Sequence, residues 1–542
     1  MSALRTYHWI RSSLVALGVL IGMTLAAASS PASSASAGLP FDDIASSFAK
    51  ADIAALYERG IVGGTGPRTY EPAKSITRAE FAAMVLRLFG LEPVDASIPA
   101  FQDVGRKAWY YASVGAASQL GIVRGTSANS FGPGAAVTRE QAAAILVRAL
   151  RLKDKGAGDA RSSFKDAAQI DDWAVEAVQI AANAGLIRGD NGLFRPHDPL
   201  TRAETAALLG RIAFRDEWEA QFEAAPSLGL QLGWQYGQTT SEYIASVSRS
   251  TVNTLVPRVF FLDSAKTLTD ATDTALLKWA SANGRKVWGM IGNRSNADTT
   301  HAMLSDASKR QTIVAALASL VQKYGMDGIN VDFENVLPDD RSGMTSFVTE
   351  LAAALHKVGA VVSVDVSPDQ GDDWTAAFDY AALGRSADYL VLMAYDEHWE
   401  TDPIAGSVSS LPWLEKGLDK LIGNVPAAKT IVALPFYTRQ WTVSPKVSSL
   451  EMTIAEQAET ISSLTSGTRS WNDTVGQYIY TFAKGATTYR IWAEDSRSLT
   501  LKSLAVAERG VAGLAYWSIG GETADVWPAI RNAAKYASFA FE

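Results

Sequence analysis

The chain of 542 residues contains no cysteine. Thiol nucleophiles, cysteine-bound metals and disulfides are excluded, and an exported chain of this kind is held by its packed cores alone. Histidine is scarce as well. The five present are scattered without metal-ligand spacing, and nothing in the sequence calls for a metal or another cofactor. A strong charge of either sign is also missing. The formal charge of −8 gives no basic footprint for nucleic acid or an anionic membrane, and suits a surface protein that handles a neutral polymer. No segment after the N-terminal one is long and apolar enough to span a membrane.

That N-terminal segment is informative. Arg5 and Arg11 precede an apolar run from Leu14 to Ala28, and small residues follow, with cleavage-like sites ending at Ala28 and Ala37. The pattern predicts a secretory signal over residues 1–37, with an uncleaved anchor as the alternative. After cleavage no membrane partner remains, and a cysteine-free exported chain fits a bacterial cell surface. An apolar content of 47% with 20% charged residues is that of a globular protein, and the length predicts several domains.

Residues from Leu39 to Asp216 repeat three times at a spacing of roughly 60 residues. Each unit opens on an aromatic residue and an acid: Phe41-Asp42-Asp43, Phe101-Gln102-Asp103 and Phe164-Lys165-Asp166. An alanine-rich helical stretch follows, with Trp109 and Trp173 near its start in the second and third units. It stops at Gly60, Gly121 and Gly185, where glycine can take the positive φ of a helix end. A second helix begins at Thr77-Arg78-Ala79-Glu80, Thr138-Arg139-Glu140 and Thr201-Arg202-Ala203-Glu204; Thr77 with Glu80 and Thr201 with Glu204 read as capping boxes.

These units resemble three tandem S-layer homology (SLH) modules, placed at 39–98, 99–160 and 161–220. The resemblance implies a helix-rich anchor that binds an anionic, often pyruvylated, secondary cell-wall polymer. The matching positions are Arg78, Arg139 and Arg202, with Asp43, Asp103, Asp166, Trp109 and Trp173 beside the grooves. Arginine suits the task because its fork holds a carboxylate through two bonds, although helix-terminal salt bridges would also employ it. The first unit departs from the pattern, with Phe48 in place of tryptophan and Gly64 after Gly63, which predicts a weaker site.

From about residue 226 to 542 short β-rich runs alternate with helical ones, the mark of a parallel α/β fold. The candidate strands are 228–234, 259–263, 286–293, 328–334, 361–367, 389–395, 430–435 and 513–518. Eight strands fit a (β/α)8 TIM barrel, with a small α+β insertion at about 442–500 between strands seven and eight. Active sites of such barrels lie at the C-terminal strand ends. There the octet Asp327-Gly-Ile-Asn330-Val-Asp332-Phe-Glu334 alternates with the period of a strand, so Asn330, Asp332 and Glu334 share one face. Two nearby carboxylates resist ionising together, and one of them then keeps a proton for general acid work. Asp332 leaves the same strand as Glu334, so it does not sit across the sugar as the second carboxylate of an ordinary retaining glycosidase does. Another strand or the substrate itself supplies the nucleophile.

This half resembles glycoside hydrolase family 18, whose fourth strand carries Asp-x-x-Asp-x-Asp-x-Glu. Here the pattern reads Asp327, Asn330, Asp332 and Glu334, joined by Met393-Ala-Tyr395-Asp396 on strand six and Trp517 on strand eight. The runs Tyr395–Trp399 and Pro435–Arg439 are similar to the branch of spore-cortex and cell-wall N-acetylglucosaminidases. The resemblance implies a retaining, substrate-assisted hydrolase of β-1,4-linked N-acetylglucosamine glycans, peptidoglycan first and chitin as the alternative. Glu334 is then the acid/base, Asp332 orients the acetamido group and Tyr395 hydrogen-bonds it. Trp517 makes the floor, and Asn330, Met393, Asp396 and Tyr437 contribute to substrate binding. Asp365 reads as structural, and His398 falls beyond the strand end. A carbohydrate-binding barrel without catalysis and a structural surface-layer protein are the other classes; the intact Glu334 and Asp332 argue against both. Asn330 departs from the pattern because an amide cannot share a proton with Asp332 as a carboxylic acid does. Restoring the acid by Asn330→Asp is expected to shift the pH–rate profile without abolishing turnover; an unshifted profile contradicts that reading.

Overall fold

In a computed structural model of the chain, residues 39–153 and 164–541 are described. The expected signal segment, 1–37, lies outside them, as does the expected boundary between the second and third modules. In each repeat a threonine starts the second helix. Thr77, Thr138 and Thr201 accept the N–H three residues on, while Glu80, Gln141 and Glu204 reach back to the cap N–H. The next residue, an arginine, crosses to a neighbouring repeat. Arg78 lies 4.8 Å over the Phe131 ring and donates to the carbonyls of Phe131 (2.9 Å) and Arg124 (2.8 Å). Arg139 treats Phe194 and Arg188 in the same way. Arg202 closes the circle on Tyr70 of the first repeat, 4.4 Å over the ring and 2.7 Å from the carbonyl. Single bridges Thr77↔Ala136, Thr138↔Pro199 and Ser75↔Thr201 follow the same cyclic order. Asp43, Asp103 and Asp166 fold the loops that present those rings, each accepting two successive backbone N–H groups.

The second half is an eight-stranded parallel barrel: β1 (Leu230–Gln235), β2 (Thr254–Ser264), β3 (Lys286–Gly292), β4 (Gly328–Asp332), β5 (Val361–Val366), β6 (Tyr389–Met393), β7 (Thr430–Pro435) and β8 (Gly513–Trp517). Each strand pairs with the next, and β1 pairs with both β2 and β8, which closes the cylinder. Alternation sorts the side chains. Leu232, Trp234, Val256, Trp288, Met290, Val391, Ile431 and Ala515 pack the barrel interior. Ile329, Val331 and Phe333 of the octet join the layer between strands and helices, so Asn330 and Asp332 point inward.

Between β7 and β8 runs a five-stranded antiparallel sheet with one helix, Ile454–Ser462. Its first strand, Tyr437–Ser444, leaves β7 after a single intervening residue, so the sheet takes in residues ahead of the expected 442–500. At the other end residues from Ser496 form the helix Ser496–Ala507 that leads back to β8.

The two halves share a core. Phe539 and Phe541, beyond the last helix Val526–Ala537, pack edge-on to Phe89 of the first repeat at 5.6 and 5.9 Å, and Trp218 lies 5.3 Å from Phe541. Arg531 grips Glu92 through two bonds of 2.6 and 2.7 Å. Ile98 is buried among Met452, Tyr478 and Ile491 of the inserted sheet. The anchor is thus docked on the barrel by apolar burial and a forked ion pair. Among the described residues no helix is long and apolar enough to cross a membrane.

Candidate active site

At the C-terminal end of β4 the chain turns outward at Glu334 and then Asn335, whose φ is 55°. The side-chain amide of Asn293, just past β3, brackets the Glu334 backbone: Nδ2 donates to the carbonyl (2.7 Å) and Oδ1 accepts the N–H (3.1 Å). Ser295 donates its hydroxyl to Glu334 Oε2 at 2.7 Å. Glu334 itself is exposed, so its carboxylate is aimed but open to solvent. Neither Asn293 nor Ser295 carried a sequence signal for this role, because both act through the neighbouring strand's loop.

Below the rim lies a line of buried polar groups. Asn330 is fully buried; its Oδ1 accepts from Trp234 Nε1 (3.0 Å) and its Nδ2 donates to Ser363 Oγ (2.9 Å) and Asp365 Oδ1 (2.7 Å). The β4–β5 register sets Asn330 level with Ser363 and Val331 level with Val364, which brings Asp332 level with Asp365. The carboxylate beside Asp332 therefore comes from the adjacent strand. Burial, then the nearby Glu334, push the Asp332 carboxyl up to about 7, against the opposing pull of Arg258. Burial, then Asp332, raise Asp365 well above the ordinary carboxylate range. Asp365, which the sequence presents as structural, thus belongs to the charged constellation.

Tyr395, just past β6, is buried beside Tyr437, their rings 6.0 Å apart. Burial, then Asp365, hold its hydroxyl well above the usual tyrosine range, so it is a hydrogen-bond donor at any working pH. Asp396 follows with φ 61°, accepting from the Tyr437 hydroxyl at 2.7 Å and lying 3.6 Å from Arg439. Trp517 closes β8, with Trp234 at 5.9 Å and Tyr236 at 5.3 Å. A cavity of about 490 Å³ opens beside Glu334 and Tyr395, lined also by Met393, Asp396, Trp374 and Trp399 but not by Trp517 or Tyr437. His398 turns away from it and meets Asp402 at 2.8 Å.

Comparison with known proteins bears on this geometry. The family model described as "Glycosyl hydrolases family 18" matches residues 237–522. The chain belongs to glycosyl hydrolases family 18. The S-layer homology domain model matches 40–82, 100–143 and 163–206, so the family 18 barrel carries three SLH repeats. The chain is 28% identical over 327 residues to a protein named "Uncharacterized glycosylase YvbX" of Bacillus subtilis (strain 168), covering 57% of this chain and 93% of that one. It is 27% identical over 301 residues to a "Cortical fragment-lytic enzyme" of Bacillus cereus, covering 52% and 68%. The solved structure of a chitinase from Chromobacterium violaceum ATCC 12472 shares the fold, with a TM-score of 0.51 and 24% identity over 56% of this chain and 98% of that one. The protein is a family 18 glycoside hydrolase whose SLH repeats imply cell-wall binding at the cell surface.

In the SLH half, a groove of about 710 Å³ is lined by Arg78, Arg124, Arg148 and Trp173. A second, of about 220 Å³, is lined by Arg139, Arg188, Arg211 and Phe48. Trp109 and Trp173 are 62% and 55% exposed. Arg202 and Trp109 line neither groove; Gly63, to which Arg202 donates, occupies the place of Arg124 and Arg188, so that junction has one arginine fewer.

The raised Asp332 has a consequence for stability. A carboxyl whose folded pKa exceeds its unfolded one costs nothing below the unfolded value near 4, and the cost grows until the pH passes about 7. Asp332→Asn is expected to stabilise the fold at pH 8 by on the order of 2 kcal/mol, with the gain vanishing toward pH 4. Denaturant unfolding of both proteins across that range measures the difference.

Proposed function

We propose that the protein is a wall-anchored N-acetylglucosaminidase that cleaves β-1,4 bonds of peptidoglycan with retention of configuration. The observation that carries the reading is the stack on β4: an exposed, aimed Glu334 above an Asp332 that leaves from the same strand. Such a pair cannot flank a sugar, and membership of family 18 supports the substrate's own acetamido oxygen, rather than a carboxylate from another strand, as the nucleophile. Family 18 is among the known exceptions to the two-carboxylate scheme.

Each group then has a task. Glu334 gives its proton to the glycosidic oxygen as the bond to the anomeric carbon breaks. The 2-acetamido carbonyl oxygen forms the new bond to that carbon, and an oxazolinium ion results. Asp332, ionised for this step, accepts the acetamido N–H and balances the positive charge. Tyr395 donates to the acetamido oxygen and orients it. Trp517 supports the apolar face of the ring, while Asp396, Met393 and Tyr437 contact the sugar. Glu334, now a base, takes a proton from water, which opens the oxazolinium and restores the original configuration. No step calls for a metal or cofactor.

The choice of peptidoglycan is supported by the SLH repeats, which imply a wall location, and by the relative named for cortical fragments. The two arginine-lined grooves, with Trp109, Trp173 and the loop-folding Asp103 and Asp166, are read as the contact with a secondary cell-wall polymer. Chitin, with the same acetamido group, is the alternative substrate. Mass spectrometry of borohydride-reduced products from purified peptidoglycan tests the assignment. Reduced N-acetylglucosamine ends are expected, falling by at least about a hundredfold in Glu334→Gln. Intact peptidoglycan alongside cut chito-oligosaccharides would move the enzyme to chitin.

A further inference from the structure

One cation in the barrel mouth lacks an anion. Arg258 on β2 is level with Met290 of β3 and, like Val256 two residues before it, faces inward. Its Nε is buried without a hydrogen-bond partner, and among the described residues none pairs with the guanidinium as an ion. It lies 5.0 Å over the ring of Tyr236 and 6.0 Å from that of Phe261. Two nearby acids are already engaged elsewhere. Asp273 caps the helix Thr274–Ala282 and accepts from Thr240; Asp263 accepts from Thr269 and faces Arg294 at 3.6 Å. Asp332 feels the charge of Arg258 but makes no bond to it. A half-buried guanidinium with open donors is costly unless a ligand supplies the acceptor.

The surroundings say what kind of ligand. A groove of about 520 Å³ holds Arg258, Tyr236, Gln235, Gln238 and Phe261. Tyr236, half exposed, lies 5.3 Å from Trp517. Trp517, Tyr236 and Arg258 thus form a continuous stepped surface leading away from the reacting sugar. A glycan with one ring on Trp517 lays its next ring along Tyr236, within reach of the guanidinium. In chitin that next sugar is neutral. In peptidoglycan the sugars alternate, and the neighbour of every N-acetylglucosamine is a muramic acid bearing a lactyl carboxylate or a peptide that ends in one. A carboxylate placed there meets the arginine fork in charge-assisted bonds.

We propose that Arg258, braced on Tyr236, is a subsite for the carboxylate carried by the sugar adjoining the one cleaved, and that it selects acid-bearing wall glycan over chitin. This rests on the reading of Trp517 as the floor beneath the reacting sugar.

The test is calorimetric binding to the full chain in a Glu334→Gln background, so that nothing is cut. Three probes are compared: chitotetraose, peptide-free wall tetrasaccharide with its lactyl acids exposed, and the same tetrasaccharide bearing stem peptides. Adding Arg258→Ala is expected to lower the affinity ratio of acidic to neutral glycan by about tenfold, the scale of one charge-assisted bond. Arg258→Lys should recover part of it. A drop with the peptide-free probe identifies the lactyl acid as the ligand, and a drop confined to the peptide-bearing one identifies the peptide. An unchanged ratio with both acidic probes overturns the proposal, as does an equal loss for all three. Wild-type protein that leaves wall glycan uncut while this ratio still falls would overturn the peptidoglycanase reading and leave the subsite standing.

Discussion

The site depends on one constraint: β4 sends a row of polar side chains into a barrel otherwise filled with apolar ones. A buried polar group has to be paired or it destabilises the fold. Asn330 meets that demand by bonding to two other strands at once, through Trp234 on β1 and Ser363 and Asp365 on β5, with Trp234 also supporting Trp517. The cross-links fix the register of β4 against β5. Asp332 and Asp365 then stand side by side; burial first, and then a neighbouring acid (Glu334 for Asp332, Asp332 for Asp365), raises each carboxyl. The geometry proposed for catalysis and the packing of the barrel rest on the same bonds here.

The amide at Asn330 acquires a meaning that its position in the octet does not suggest. It holds Asp365 by a donated hydrogen bond and is itself neutral, so the deep carboxylate of the usual pattern is replaced by one from the next strand. The SLH half shares its aromatic core with the chain's last residues.

Much of this was legible in the sequence, and for identifiable reasons. The eight strands were visible because each is a short β-rich run between helices, and β7 falls on its expected limits, Thr430–Pro435. The repeats were visible because a threonine cap followed by arginine recurs at nearly constant spacing. What was hidden comes from register. Nothing local to Asp365 indicates that it lies level with Asp332, since that requires the β4–β5 pairing. Arg258 was hidden for the same reason, in a strand segment, 254–258, that precedes the expected one and is interrupted by Pro257. The inserted sheet begins earlier than expected because its first strand continues almost directly from β7, leaving no turn residues to mark the change. The repeat arginines carried two meanings at once: they brace neighbouring repeats through backbone carbonyls, and Arg78 and Arg139 also face grooves.

The central claim is that the nucleophile belongs to the substrate. The most direct measurement compares turnover of a chito-oligosaccharide glycoside with that of its analogue carrying a free amine in place of the acetamido group on the sugar cleaved. The account predicts hydrolysis of the first and none of the second, although both bind. Comparable rates for the two would contradict it and require a nucleophile from the protein.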